Sequence, residues 1–393
     1  MVTTTDDAVT SPAGVRRMLA QATGTDADDW FLVFRARYAM RVVFQAIADV
    51  RGPGAVTTQL LTCVTAVSPI TATPLRPVYG EVADASLALD PDTLHLDAAT
   101  RAVVLQHTFG IIDPQRSAAV RHAADSAGAL LVEDSAHCAT RMAKDDAGRP
   151  LADVSVHSFG AEKLLATRFG GAIWINPDLA DGALQHRLRT ELGSLPHLGV
   201  QVSARSRAYR SEVRVLNRLP GAVAAPARHA LTRLGLFEPL VADAETRGGL
   251  PYDATRPAGW MMTAVAEQLG RLERVQTRRA AATAAYLREL PDTVQVPASI
   301  TDTSPLVRFP FFAGSTQEAE RLIAILTAAG VYAGRWYRPA LFPGVPDPAA
   351  FGFVPGETTP RTQELIARIV NLPTTVDPAE ASRAAGIVRS ELR

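Results

Sequence analysis

The sequence predicts an α/β protein with a mostly parallel central sheet and a smaller C-terminal α/β domain. Between residues 55 and 176, short apolar or β-branched runs alternate with helix-forming stretches. Those runs are apolar without a break, the pattern of strands buried on both faces by crossover helices. A third observation is Gly248-Gly249 with Pro251 and Pro257, which reads as a hinge. It divides the 393 residues, more than one compact core usually holds, into an N-terminal arm (1–29), a large domain (30–250) and a small domain (251–393).

Each element has its own justification. Residues 1–29 are polar and without pattern, hence the arm. Phe31-Leu32-Val33-Phe34 leads into 36–50, where Met40, Val43, Phe44 and Ile47 share one helical face before Arg51-Gly52-Pro53-Gly54 stops the helix. Residues 55–61 read as a strand, 63–70 as a short helix that Pro69 helps to end, and 75–81 as a strand. Ala102-Val103-Val104-Leu105-Gln106 is a buried strand, and the helix 115–127 after it closes at Gly128. Strands over 130–133, 154–158 and 172–176 follow.

Residues 178–245 are helical and arginine-rich, with Arg187, Arg189, Arg205, Arg207, Arg210, Arg214 and Arg218. A solvated face is the simpler reading of them, a lining for an anionic substrate the sharper one. A long helix over 260–290 carries Leu269, Leu272 and Val275 on its apolar side. The last third reads as a strand (306–312), a helix (317–329) ended by Gly330, a Pro/Gly/Phe-rich loop (339–356) and a final helix (378–392).

Composition excludes several classes. Forty basic and forty acidic residues balance, which argues against a nucleic-acid or anionic-membrane partner. Two cysteines make neither a disulfide framework nor a four-thiolate metal site. No run of eighteen apolar residues occurs, and the N-terminus lacks the basic flank and apolar core of a signal peptide, so a cytoplasmic enzyme is expected.

The chain has two lysines against thirty-eight arginines. An amine can lose its proton and become a nucleophile, whereas a guanidinium keeps its charge. Lys144 lies in a polar loop and reads as a surface residue, but Lys163 follows an apolar strand and precedes Gly170-Gly171. Pyridoxal phosphate (PLP) needs a lysine for its aldehyde, an acid at its ring nitrogen and amides or hydroxyls around its phosphate. Lys163 is the candidate amine, Asp134 at the end of a buried strand the acid, and Ser158 a phosphate hydroxyl. The amides of Ala36 and Arg37 begin a helix, and His137 and Gln106 or His107 end neighbouring segments within reach of the ring. Alone, each has a plain alternative: a strand-end carboxylate is usually a turn or cap residue, and a lone histidine an ordinary hydrogen-bonded one.

The ordered set resembles one family. VEDSAH (132–137) followed by SVHSFGAEKLLATRFGGAIWIN (155–176) resembles the DegT/StrS family of fold type I PLP-dependent sugar aminotransferases. QHTFG (106–110), LLTC (60–63), the helical stretch 264–290 and IVNLPT (369–374) extend the likeness. The resemblance implies that Lys163 forms the Schiff base, Asp134 holds the ring nitrogen, His137 the ring-oxygen region and Ser158 the phosphate. It implies transfer of an amino group from glutamate or glutamine to a keto group of a nucleotide-linked sugar or similar ketone, in a homodimer. The alternatives are PLP chemistry of another kind or on a non-sugar substrate, such as cyclitol amination, elimination or carbon–carbon bond formation, or a non-catalytic relative.

Departures from the family pattern are specific. Arg168-Phe169 stand where Gly-Glu is common, and Cys63 where an aromatic often stacks on the ring. Arg35-Ala36-Arg37 replace a small Ser-Gly-Thr-like triplet. Ala254 stands at the place of an asparagine that the neighbouring subunit lends, with Arg256 nearby. Arg37 and Arg256 can supply phosphate contacts by another route. Arg335 and Arg338 can bind a substrate anion, or stack beside Trp336 at a domain seam.

Overall fold

The computed structural model describes residues 10–165 and 167–392. Seven strands, β1 (Trp30–Val33), β2 (Ala55–Thr58), β3 (Arg76–Tyr79), β4 (Thr100–Gln106), β5 (Leu130–Asp134), β6 (Val154–Ser158) and β7 (Gly171–Ile175), form one sheet in the order β1-β7-β6-β5-β4-β2-β3. The pairs from β3 through β6 are parallel, while β7 runs antiparallel to both β6 and β1. The register sets Gln106 opposite Asp134, and Asp134 opposite Val156, two residues before the end of β6. Three polar strand ends therefore arrive at one edge of the sheet, where open α/β sheets bind ligands.

The apolar strands are covered as their composition requires. The helix Ala36–Arg51 buries Met40, Val43, Phe44 and Ile47 and ends at Gly52, whose φ of 76° is left-handed. The C-terminal part holds an antiparallel pair, β8 (Arg308–Phe312) and β9 (Ile369–Pro373). Phe309, Phe311 and Leu372 there share an apolar core with Ala282 and Tyr286 of the helix Leu272–Glu289 and with Leu322 of Thr316–Ala328.

Three segments differ from the sequence expectation. Residues 12–23, expected in a polar arm, form a helix capped by Ser11 Oγ and ended at Gly24, with Val15 and Leu19 fully buried. Its apolar stripe is only Val15, Met18 and Leu19, too short to stand out beside its polar residues. The long helix over 260–290 is two helices, Gly259–Leu269 and Leu272–Glu289, parted at Gly270-Arg271, where glycine is a poor helix former. Residues 360–368, for which no element was expected, form a helix with Pro360 in its first turn.

The arginine-rich region divides. Arg187 pairs with Asp49 and Glu191, Arg189 with Asp29, and Arg205 with Glu238 at 3.4 Å, so these three are taken up in ion pairs. Among the described residues no helix is long and apolar enough to cross a membrane.

Candidate active site

At the C-terminal ends of β4, β5 and β6 lies a cavity of about 540 Å³ lined by Lys163, Asp134, His137, Ser158, Ala36, Arg37, Cys63 and Gln106. These are the residues nominated from the sequence for amine, ring and phosphate. Arg256, Arg335 and Arg338 lie elsewhere. Arg256 is exposed and donates to the Gly193 carbonyl, while Arg335 and Arg338 both pair with Glu320, at 2.7 and 2.8 Å.

Lys163 sits in the loop between β6 and β7. That loop is stitched shut by Thr167, whose hydroxyl is within hydrogen-bond distance of the Phe159 (2.6 Å) and Phe169 (2.8 Å) carbonyls, and by Phe159 N–H to Gly170 O at 3.0 Å. Arg279 Nη2 donates to the Lys163 carbonyl at 3.5 Å. The lysine is half-buried, and Nζ stands 5.5 Å from the centre of the Trp336 ring. Burial holds the amine below the usual lysine pKa, against the opposing pull of Cys63 and Asp134, so more of it is neutral and nucleophilic.

Asp134, only 6% exposed, accepts from the Ala136 N–H at 3.0 Å. It makes no ion pair within 4.0 Å among the described residues; burial raises its pKa, and the Ala136 N–H and Lys163 oppose that. Side chains alternate along a strand, so its neighbour Glu133 points to the other face. There Glu133 accepts from Ala143 N–H at 2.6 Å and pairs with His107 Nε2 at 2.8 Å and with Ser155. His107 thereby turns Nε2 away to Glu133, while the residue still lines the cavity and its Nδ1 has no hydrogen-bond partner among the described residues.

One end of the cavity is the start of the helix Ala36–Arg51. Its N-cap, Arg35, supplies no side-chain capping bond. A side chain at Gly171 would come within 2.8 Å of the Ala36 nitrogen, so glycine is required for β7 to pass this close. Ser158 Oγ accepts from Gly160 N–H at 3.3 Å and also lines the cavity. The Arg35 and Arg37 side chains turn to Glu238 (2.8 Å) and Glu245 (2.6 Å). Arg168 and Arg228 also line the cavity, and neither has an ion-pair partner among the described residues.

The sequence reading missed Trp336, Tyr337 and Phe342 as cavity walls. Backbone bonds from Val64 N–H to Phe342 O and from Phe342 N–H to Thr62 O, both 2.9 Å, bring their loop against Cys63. A Trp-Tyr pair between two arginines was a visible signal, though nothing local said which side it faced. Gln106 approaches the cavity but is engaged: Nε2 donates to Leu61 O (3.1 Å) and Thr108 Oγ1 (2.7 Å), and Oε1 accepts from Thr62. Cys63 is half-buried and accepts from Thr65 Oγ1 at 3.1 Å.

Among the described residues no cluster of His, Cys, Asp or Glu can hold a metal ion. An amine of lowered pKa, a buried acid without a cation and an uncapped helix start, set around one cavity at the strand ends, define the PLP-dependent enzymes of fold type I. The chain belongs to the DegT/DnrJ/EryC1/StrS aminotransferase family, which it matches over residues 35–238 and 261–387, and it is an aminotransferase of that class. No curated protein matches it. Among solved structures it is similar to the aminotransferase TlmJ from Streptoalloteichus hindustanus (22% identity, TM-score 0.69, covering 97% of this chain and 90% of that one). It is also similar to DesI, solved in the presence of its TDP-sugar product (21%, 0.67, 97% and 84%). A third is 3-amino-5-hydroxybenzoic acid synthase (17%, 0.66, 96% and 89%).

Proposed function

We propose that this aminotransferase binds PLP in the cavity and moves an amino group from glutamate or glutamine to the keto group of a nucleotide-linked sugar or a related biosynthetic ketone. One observation carries the reading: Lys163 and Asp134 line a single cavity that also opens on the uncapped start of Ala36–Arg51. Asp134 tests the fit. A buried carboxylate without a cation is costly, and a protonated pyridine nitrogen is the partner it lacks. When bound, PLP acts as an electron sink for the substrate carbon.

The chain's own residues divide the remaining work. Lys163 Nζ holds the cofactor and, once released, takes and returns the proton at the substrate carbon. Asp134 keeps a proton on the ring nitrogen. Ser158 and the amides of Ala36 and Arg37 bind the phosphate, favoured by the helix dipole. A homodimer agrees with the exposed apolar side chains Val200 (85%), at the start of the helix Val200–Leu216, and Leu234 (72%), just past the helix Gly221–Arg233.

A second reading concerns the acceptor alone. The likeness to 3-amino-5-hydroxybenzoic acid synthase and the arginines at positions 168 and 228 favour an acidic ketone that is not a sugar. The test is a half-reaction. Glutamate or glutamine added to PLP-loaded protein should bleach the visible band and release one equivalent of keto acid, and Lys163→Ala should do neither. A wild-type protein that binds PLP yet yields no keto acid with any amino donor would refute transamination.

A further inference from the structure

His137 has both ring nitrogens engaged. The Phe109 N–H donates to Nδ1 at 2.9 Å, and Nε2 lies 2.9 Å from Tyr337 Oη. A nitrogen facing an N–H must offer its lone pair, so the imidazole is neutral and its proton sits on Nε2. Burial, which pushes His137 well below its usual pKa, agrees. Nε2–H therefore donates to Tyr337 Oη, and the phenol proton cannot point back.

That proton has no acceptor among the described residues, although Tyr337 is 4% exposed and lines the cavity with Lys163 and Trp336. A buried hydroxyl proton without an acceptor, on a residue that lines a cavity, marks the place of a ligand oxygen. The phenol is held firmly: His137 lies parallel to Trp336 and Tyr337, at 5.4 and 6.0 Å between ring centres. Of the other groups nominated for the ring, Gln106 is engaged by Leu61, Thr62 and Thr108, and His107 turns Nε2 to Glu133, which leaves it only the lone pair of Nδ1 and no proton to donate.

We infer that Tyr337, rather than His137, donates a hydrogen bond to the ring oxygen of PLP, and that His137 is a positioning residue acting through it. This rests on the PLP reading above. Asp134 serves the ring nitrogen, Lys163 the aldehyde carbon, and Ser158 with the helix start the phosphate, which leaves the ring oxygen as the cofactor's one unserved acceptor.

The experiment is a pH titration of the visible band of PLP-loaded protein. A donor on the ring oxygen draws negative charge away from the adjacent protonated nitrogen supplied by Lys163, so losing the donor raises the midpoint. The other ionisable groups facing the phenol, Asp134, Lys163 and Cys63, are the same in every variant. Tyr337→Phe should raise the midpoint by about one to two pH units, the effect of one hydrogen bond to a charged group. His137→Phe should raise it less, and the double variant no more than Tyr337→Phe alone. The PLP dissociation constant of the unloaded chain, read by fluorescence, should rise about tenfold in Tyr337→Phe. A visible band whose midpoint does not move in Tyr337→Phe overturns the inference while leaving PLP binding intact. A larger shift in His137→Phe than in Tyr337→Phe also overturns it. No visible band in the wild type would instead remove the PLP reading beneath it.

Discussion

Arg37 Nη1 lies 2.6 Å from Glu245 Oε1, and that carboxylate is fully buried. Its other oxygen accepts from the Ala242 N–H at 2.7 Å, so one acid ties the helix start at the cavity to the segment that brings Leu240 and Val241 there. Burial works against the Arg37 charge and Glu245 more than restores it. Removing one partner of a buried pair strands the other. Glu245→Gln should therefore cost about 3 kcal/mol of stability in urea unfolding. Arg37→Met should cost at least as much, because it strands the fully buried Glu245 carboxylate, whereas the arginine left by Glu245→Gln is partly exposed. Unchanged stability in both variants would contradict the pairing.

Much of the central sheet was legible because strands buried on both faces announce themselves by unbroken apolar runs. Val154–Ser158 has the expected bounds, and Leu130–Asp134 and Gly171–Ile175 lie within one residue of theirs. That Lys163 and Asp134 would share a cavity was legible because both stand at the ends of neighbouring buried strands. What could not be read was long-range. Nothing near Arg37 says that Glu245, 208 residues on, consumes its charge, and nothing near Trp336-Tyr337 says that their loop folds back onto Cys63. The helix Pro12–Thr23 escaped notice because three apolar residues among polar ones acquire meaning only from the surface they meet.

His157 is fully buried behind the sheet, beside Ser155 and the Ala139 carbonyl, and burial pushes its imidazole down to about 4. As pH falls below about 6.5 the unfolded chain takes up this proton while the folded chain refuses it. Stability must then fall with pH across that window, by up to about 3 kcal/mol from this group. Urea unfolding between pH 7 and pH 4 should show a shallower fall in His157→Gln than in the wild type. Parallel curves would show that burial does not lower the His157 pKa in the folded chain.

Asp134 sets function against stability. Its carboxylate is buried without an ion-pair partner among the described residues, and burial raises its pKa. In the unloaded chain at pH 7 that charge is a cost, so Asp134→Asn should leave the unloaded chain as stable as wild type or about 1 kcal/mol more stable. The same change removes the acid proposed to keep a proton on the ring nitrogen, and turnover should drop by at least about a hundredfold. Thermal unfolding without PLP, set beside donor turnover with it, separates the two effects. A variant that is both much less stable and fully active would reverse the assignment.

The four cavity arginines are not equivalent. Arg35 and Arg37 are neutralised by Glu238 and Glu245. Arg168, half-buried where the family pattern commonly has Gly-Glu, has no carboxylate within 4.0 Å among the described residues. Its pKa is lowered by burial first and then by Arg210 and Arg214, while Tyr209 pulls the other way. Arg210 and Arg214 are exposed near Arg168 rather than in the cavity lining, and they stand four residues apart on the helix Val200–Leu216, where like charges repel. Such crowding is relieved by an anion, so Arg168 should favour an acceptor that carries one. With inorganic pyrophosphate as the probe, the inhibition constant against the overall reaction should rise about tenfold in Arg168→Gln, the low end for a hydrogen bond to a charged group because the residue is half-exposed. Arg168→Lys should recover part of that loss, since it restores the charge but not the bidentate fork. An inhibition constant that is unchanged in Arg168→Gln would return the arginine-rich wall to the simpler reading of a solvated face.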